Sequence, residues 1–289
     1  MEKKKVIKRL SIFAVVVAIF GMSLCITGCE NKKKAMDSNS MMVYFINVGK
    51  GDCALLQFQN KNYLIDTGYE ETADEVELFL RDHNVATIDG IILSHYDKDH
   101  VGGAADIIHN FTVEAIYMPE YVDSGNKYAE FMEKVELYGL QDKINYVKED
   151  QTITEGKVTI DLFACKETYY EQENDYSLVA KVNYDKDTYL FAGDAEKARL
   201  KELLTYDEAT FKADVLKIPH HGGYNKKVDD FVELVAPKYA VSTSETEDTT
   251  EQELKDIMTE NNITCYYTCN GTIVCESNGK GEYKWKTLK

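Results

Sequence analysis

Proline is nearly missing from this chain, with 3 in 289 residues, and Trp285 is the single tryptophan. Such scarcity, beside 17 glycines, excludes a collagen-like or low-complexity chain. Basic residues are short against acidic ones, 33 to 50, for a formal net charge of −17. A body of that sign is a poor non-specific binder of nucleic acid, because phosphate affinity comes from counterions displaced by clustered Lys and Arg. Cysteine is sparse as well. Past residue 29 there remain Cys53, Cys165, Cys265, Cys269 and Cys275, an odd and scattered set that makes no disulfide framework, and no CxxC pair marks a structural zinc site. Cys265 and Cys275 flank Asn270-Gly271, a turn signal across which they could face each other in a hairpin, although sequence does not give their connectivity. Long apolar runs are absent after residue 26, which excludes a multi-span membrane protein.

What is present begins with an address. Lys3, Lys4, Lys5, Lys8 and Arg9 lead into the uncharged stretch Leu10 to Ile26, the n-region and h-region of a bacterial export signal. Ile26-Thr27-Gly28-Cys29 ends it with small residues before a cysteine, resembling a lipobox at which cleavage leaves a lipidated Cys29. The reading is a lipoprotein signal peptide over residues 1–28, a polar tether over 29–40 and one folded domain over 41–289. It implies an extracytoplasmic protein anchored to the cell membrane.

Within the body, strand and helix patterns alternate. Residues 41–48, 54–59 and 62–68 read as three strands of a meander, with Lys61-Asn62 as the turn between the second and third. Residues 74–85, 102–109, 126–139, 195–204, 225–235 and 249–261 carry helical spacing, and short apolar runs of the strand kind separate them. This interleaving predicts an α/β sandwich with two sheets inside and helices outside.

Ser94-His95-Tyr96-Asp97-Lys98-Asp99-His100-Val101-Gly102-Gly103 packs four potential metal ligands, His95, Asp97, Asp99 and His100, directly after an apolar strand. There a sheet hands its chain to a loop, so ligands can converge. Three further strand ends carry matching chemistry: Asp66 after Tyr63-Leu64-Ile65, Asp194 after Leu190-Phe191-Ala192-Gly193, and His220-His221 after Leu216-Lys217-Ile218-Pro219. An Asp after a strand is commonly a turn or cap residue, but four such ends point to a shared metal site. Lys217 alternates with apolar neighbours and reads as a solvated residue of its strand. Asn174 and Ser177 read either as turn caps or as site residues.

The motif His-x-Asp-x-Asp-His resembles the His-x-His-x-Asp-His signature of the metallo-β-lactamase superfamily, with Asp97 in place of the second histidine. That variant is similar to the hydrolase domain of the ComEC competence proteins and their secreted relatives. Further blocks match in order: 45–52, 64–68, 174–179, 191–195, 219–222 and 271–273. The resemblance implies an αββα sandwich of the metallo-β-lactamase type, with two divalent metal ions, Zn or Mn, at one edge. One ion would take His95, Asp97 and Asp194; the other Asp99, His100, Asp194 and one of His220 and His221. Asp66 would orient a ligand, and Asp99 would act as ligand or proton shuttle. The chain departs from the pattern at Asn47, Lys50 and Gly223, and it lacks the third histidine of true β-lactamases, which leaves a carboxylate-rich site.

The function implied is metal-dependent hydrolysis by a metal-bound hydroxide, on a phosphodiester or ester. A small-molecule or cell-wall substrate suits the acidic body better than DNA. The competing reading is a catalytically reduced binding or partner module at the cell surface.

Overall fold

In β1 (Met41–Phe45), Met41, Val43 and Phe45 enter one apolar cluster and Tyr44 another, as alternate residues of a strand buried on both faces must. The structure, a computed structural model, describes residues 39–122 and 125–289. The export signal and nearly all of the tether lie outside them. β1 pairs with β2 (Ala54–Phe58), and β2 with β3 (Lys61–Ile65), all antiparallel. The turn between β2 and β3 is Gln59-Asn60, not the expected Lys61-Asn62. Both turn residues have positive φ, 47° and 65°, as a two-residue hairpin turn requires.

The chain then turns parallel. Beyond β4 (Thr87–Ile88) come β5 (Gly90–Ile92), β6 (Thr112–Val113), β7 (Ile116–Pro119) and β8 (Ile144–Val147). β4 and β6 pair only with each other, whereas β3, β5, β7 and β8 run side by side. The second sheet opens with β9 (Gln151–Glu155), β10 (Val158–Phe163), β11 (Val179–Tyr184) and β12 (Asp187–Phe191), antiparallel throughout. β13 (Val215–Lys217), β14 (Tyr239–Ser242) and β15 (Thr264–Tyr267) extend it parallel to β12. Finally β16 (Thr272–Ser277) and β17 (Tyr283–Leu288) return to the first sheet, β16 against β1. The described residues thus hold an eight-stranded sheet, β17-β16-β1-β2-β3-β5-β7-β8, and a seven-stranded one, β15-β14-β13-β12-β11-β10-β9.

Three apolar layers follow from the side-chain alternation. Phe45, Leu56 and Ile92 of the first sheet meet Ile160, Val182 and Phe191 of the second in the central one, where the Phe45 and Phe191 rings stack at 5.7 Å. α1 (Ala73–Asp82), α2 (Lys98–Val101), α3 (Ala104–Asn110) and α4 (Asn126–Leu137) cover the outer face of the first sheet through residues such as Val76, Ile107 and Phe131. α5 (Lys197–Leu203), α6 (Glu208–Phe211), α7 (Lys226–Val235) and α8 (Gln252–Glu260) cover the second through Leu200, Phe211, Phe231 and Leu254. This is the αββα sandwich expected from the sequence. Burying each such side chain is worth about 1.5–3 kcal/mol.

Two further expectations change. The helix placed at 102–109 begins earlier and is divided, because His100 lies in α2 and Gly102-Gly103 join α2 to α3. A Cβ on Gly102 would stand 2.2 Å from the Lys98 carbonyl oxygen and 2.7 Å from the Glu70 nitrogen, so only glycine permits that approach. Cys265 and Cys275 do not face each other across a hairpin: Cys265 lies in β15 opposite Ala240, Cys275 in β16 opposite Val43, in different sheets, and both are free thiols. β4, β8, β9 and β17 were not foreseen; Gln151-Thr152-Ile153-Thr154-Glu155 is a polar edge strand whose composition conceals it.

Candidate metal centre

The parallel strands aim their C-terminal ends at one edge of the sandwich, the place where parallel α/β sheets gather ligands. At the end of β3, Asp66 adopts a left-handed conformation, φ 55°. Its carboxylate accepts from the Ser94 amide at 2.7 Å and the Ser94 hydroxyl at 2.8 Å, and lies 2.9 Å from His100 Nδ1. Past β5, the Tyr96 amide donates to the Tyr121 hydroxyl at 2.8 Å, and the Tyr96 ring is stacked between Tyr121 and Tyr128 at 4.3 and 4.2 Å. This aromatic brace fixes the turn carrying His95 and Asp97.

The second sheet answers with Asp194 and the histidine pair. Gly193 has φ 54°, and a Cβ there would stand 2.8 Å from Ser94 Cβ, so glycine alone lets the two sheets' ends close on each other. The Asp194 amide donates to the Ser177 hydroxyl at 3.0 Å. Ser177 is held by buried Arg199, whose Nε donates to the Ser177 carbonyl at 3.0 Å and whose Nη2 donates to the Phe163 carbonyl at 2.6 Å. His220 and His221 are both left-handed, φ 47° and 53°, a conformation costing non-glycine residues about 1 kcal/mol or more each.

Four of the expected ligands converge. Donor atoms of Asp99, His100, Asp194 and His221 all lie within 4.8 Å of one another. His221 Nε2 is 3.0 Å from Asp194 Oδ2 and 3.4 Å from Asp99 Oδ2, while His100 Nε2 is 3.3 Å from Asp194 Oδ1. Asp194 therefore offers one oxygen to each ring. His95 adjoins them, its ring centroid 4.1 Å from that of His100 and its Nε2 3.6 Å from Asp97 Oδ2. His220 is turned elsewhere: its Nδ1 is 3.2 Å from Glu196 Oε1, and the Asn174 amide lies between them, 3.0 Å from Glu196 and 3.4 Å from His220 Nε2. Of the paired histidines, the structure brings His221 to the group and leaves His220 at its rim.

The tautomers follow from the partners. His221 Nδ1 lies 3.1 Å from the Thr243 carbonyl, which can only accept, and His100 Nδ1 faces the Asp66 carboxylate. Ser94, donating to Asp66, is left to accept from His95 Nδ1 at 3.0 Å. All three imidazoles thus commit Nδ1–H to the protein, and all three Nε2 atoms are buried without a hydrogen-bond partner. Buried polar atoms are seldom left so, and neutral imidazole nitrogens beside carboxylates are the donor set that divalent Zn or Mn takes. The residues fit a metal ion.

Electrostatics agree. Burial opposes charge on His100 and His221, yet the facing carboxylates, Asp194 foremost, outweigh it and raise both, His221 to about 10. Burial likewise opposes the Asp194 carboxylate, and His221, His100 and Lys217 override it, holding its pKa well below the usual range. Asp97 is lowered chiefly by the adjacent His95 ring. A metal ion bound by these rings would displace their Nε2 protons.

Sequence reasoning missed four members of this region: Asp52, Ser94, Thr243 and Lys217. Lys217 is not solvated but 2% exposed. Its ammonium ion-pairs with Asp52 Oδ2, donates to the Gly193 carbonyl at 3.0 Å and lies 3.5 Å from Asp194 Oδ1. Asp52 belongs to the block 45–52, and that position was the only sequence signal for it.

Comparison with known proteins places the geometry. A model of the metallo-beta-lactamase superfamily matches residues 46–242. ComE operon protein 3 of Bacillus subtilis (strain 168) is 25% identical over 217 residues, 69% of this chain and 28% of that one. Recombination protein 2 of Haemophilus influenzae is 24% identical over 216 residues, 73% and 25% of the two chains. The chain therefore spans about a quarter of the length of these relatives. Among solved structures, the metallo-beta-lactamase fold protein YhfI from Bacillus subtilis superposes with a TM-score of 0.55 at 13% identity, over 82% of this chain and 99% of its own. CmlA, a diiron beta-hydroxylase from Streptomyces venezuelae, gives 0.53 at 10% identity, over 86% and 54%.

Proposed function

The chain belongs to the metallo-beta-lactamase superfamily, and from that premise we propose that it is a metal-dependent hydrolase acting on a phosphodiester or ester. The observation that carries this reading is the trio of buried, unpartnered Nε2 atoms on His95, His100 and His221 beside Asp97, Asp99 and Asp194. Asp99, His100, Asp194 and His221 would hold one divalent ion, and His95, Asp97 and Asp194 a second. Such ions, when bound, lower the pKa of coordinated water to near 7 and polarise the bond under attack.

The chain's own residues set the conditions. Asp66 and Thr243 pin the Nδ1–H of His100 and His221, so each ring keeps one tautomer. Asp99 stands at the edge of the group, its side chain 16% exposed, where it can serve as a ligand or take up the proton of an attacking water. No Ser or Cys nucleophile is needed. A net charge of −17 favours small or cell-wall substrates over long polyanions, although the names of the curated relatives keep DNA among the substrates to test.

We place the enzyme outside the cytoplasm, tethered by a lipid on Cys29. The lysine-rich start, the apolar stretch and Thr27-Gly28-Cys29 support this. Fatty-acid labelling lost in Cys29→Ala would support the anchor.

The deciding experiment joins metal content by mass spectrometry to turnover of bis(p-nitrophenyl) phosphate with added Mn or Zn, for the wild type and for Asp97→Asn, Asp99→Asn and Asp194→Asn. Bound metal and cleavage, both reduced in the variants, support the reading. Metal content that survives all three substitutions overturns the ligand set, and bound metal without cleavage of phosphodiesters, esters or lactones overturns the hydrolase.

A further inference from the structure

Behind the outer ligand group lies an inner one. Donor atoms of Asp52, Asp66 and His100, all buried, also lie within 4.8 Å of one another. His100 belongs to both groups through different nitrogens, Nε2 facing Asp194 and Nδ1 facing Asp66. A residual cavity of about 10 Å³ adjoins the inner group, lined by Asp52, Asp66, Ser94, Lys217 and Thr243 among others. It has room for no more than a water.

Asp52 of this group and Asp194 of the outer one are buried carboxylates that need a countercharge, since an uncompensated ion inside a protein is strongly disfavoured. The structure supplies it. The Lys217 ammonium touches Asp52 Oδ2 and the Gly193 carbonyl and approaches Asp194 Oδ1. These ligands are all oxygens: two carboxylates and a backbone carbonyl, with the Thr243 hydroxyl donating to Asp52 Oδ1 at 2.5 Å. Hard divalent cations select such a shell.

We propose that Lys217 is the resident cation between Asp52 of the inner group and Asp194 of the outer one, filling a position that a hard divalent ion would otherwise take and so confining metal to the outer group. A tethered cation does not dissociate. Asp52 and Asp194 therefore have a countercharge before any metal arrives, and Asp194 keeps its orientation toward His100 and His221. Lys217 is thus a positioning residue that also sets how many ions the centre accepts. The outer half of this inference rests on the metal reading above; the inner half does not.

The test compares ion stoichiometry in the full-length wild type, Lys217→Ala and Lys217→Met, by equilibrium dialysis against Mn or Ca with mass-spectrometric counting. Lys217→Ala is expected to bind about one additional ion per chain, because truncation opens the space and leaves the oxygens, and its melting temperature should rise with ion concentration more steeply than that of the wild type. Lys217→Met fills the space without charge and should bind no additional ion. A folded Lys217→Ala with wild-type stoichiometry overturns the proposal, as does an extra ion in Lys217→Met. A Lys217→Ala chain that stays unfolded with Mn and Ca present overturns it too, since an ion then cannot replace the ammonium. A wild type that binds nothing would refute the hydrolase reading, while the difference between variant and wild type would still decide the role of Lys217.

Discussion

Replacing Asp66 by Asn tests whether a residue that touches the outer group only through His100 Nδ1 controls its metal affinity. Asp66 accepts from the Ser94 amide and hydroxyl at 2.7 and 2.8 Å and from His100 Nδ1 at 2.9 Å. An asparagine oxygen can keep the amide contact, which leaves the NH2 group facing His100. That group donates, so the imidazole must present an unprotonated Nδ1 and carry its proton on Nε2, the nitrogen now aimed at Asp194. A protonated Nε2 is no ligand. Losing such an orienting partner lowers metal affinity about 10- to 100-fold, equivalent to about 1.4–2.7 kcal/mol. The charge-assisted contact itself contributes about 1.5–3 kcal/mol to the metal-free fold. Zn titration against a competing chelator reads the first quantity, urea unfolding with chelator present reads the second, and nitrogen chemical shifts of the His100 ring report the tautomer. Asp66→Asn with wild-type Zn affinity and an unmoved Nε2 signal would refute the reasoning.

Two other outcomes are expected. The His221 pKa is raised from 6.5 to about 10, with burial opposing the charge and Asp194 outweighing it; its contribution to metal-free stability is therefore complete below about 6.5 and fades as pH climbs through about 10. Metal must displace that proton, so affinity should increase with pH across the same window, and calorimetry in buffers of different ionisation enthalpy should detect proton release near pH 7; its absence would sink the ligand role of His221. At the opposite end of β12 from Asp194, the buried Asp187 carboxylate accepts from the amides of Gly279 and Gly281, each at 2.5 Å. Asp187→Ala should cost about 3 kcal/mol in urea unfolding with metal affinity unchanged, and a change in metal binding would contradict the separation of the two ends.

Much of the site is legible because parallel strands deliver their chemistry at their ends, and a short apolar run followed by Asp or His records such an end in local order. Asp66, His95, Asp97, Asp99, His100 and Asp194 can all be named in this way. The choice between His220 and His221 cannot, because adjacent residues in a left-handed turn point apart by an amount set by backbone dihedrals. The Gln59-Asn60 turn was misplaced for a related reason: Lys61 and Asn62 are as polar as a turn but pair across the hairpin with Phe58 and Gln57.

The two-sheet architecture is legible along the chain, since alternation and helical spacing are local properties, and so are the kinds of side chain gathered at the candidate centre. Which charges meet depends on how the sheets pack. Lys217 reads as solvated because a lysine in a short strand is usually at the surface, yet β13 is enclosed between β12 and β14 and all three of its residues are buried. Its partner Asp52 comes from the loop between β1 and β2 in the other sheet. No spacing along the chain encodes that meeting, because a buried ion pair depends on where two distant backbone segments close together, and the closure is set by the packing of the sheets rather than by either segment.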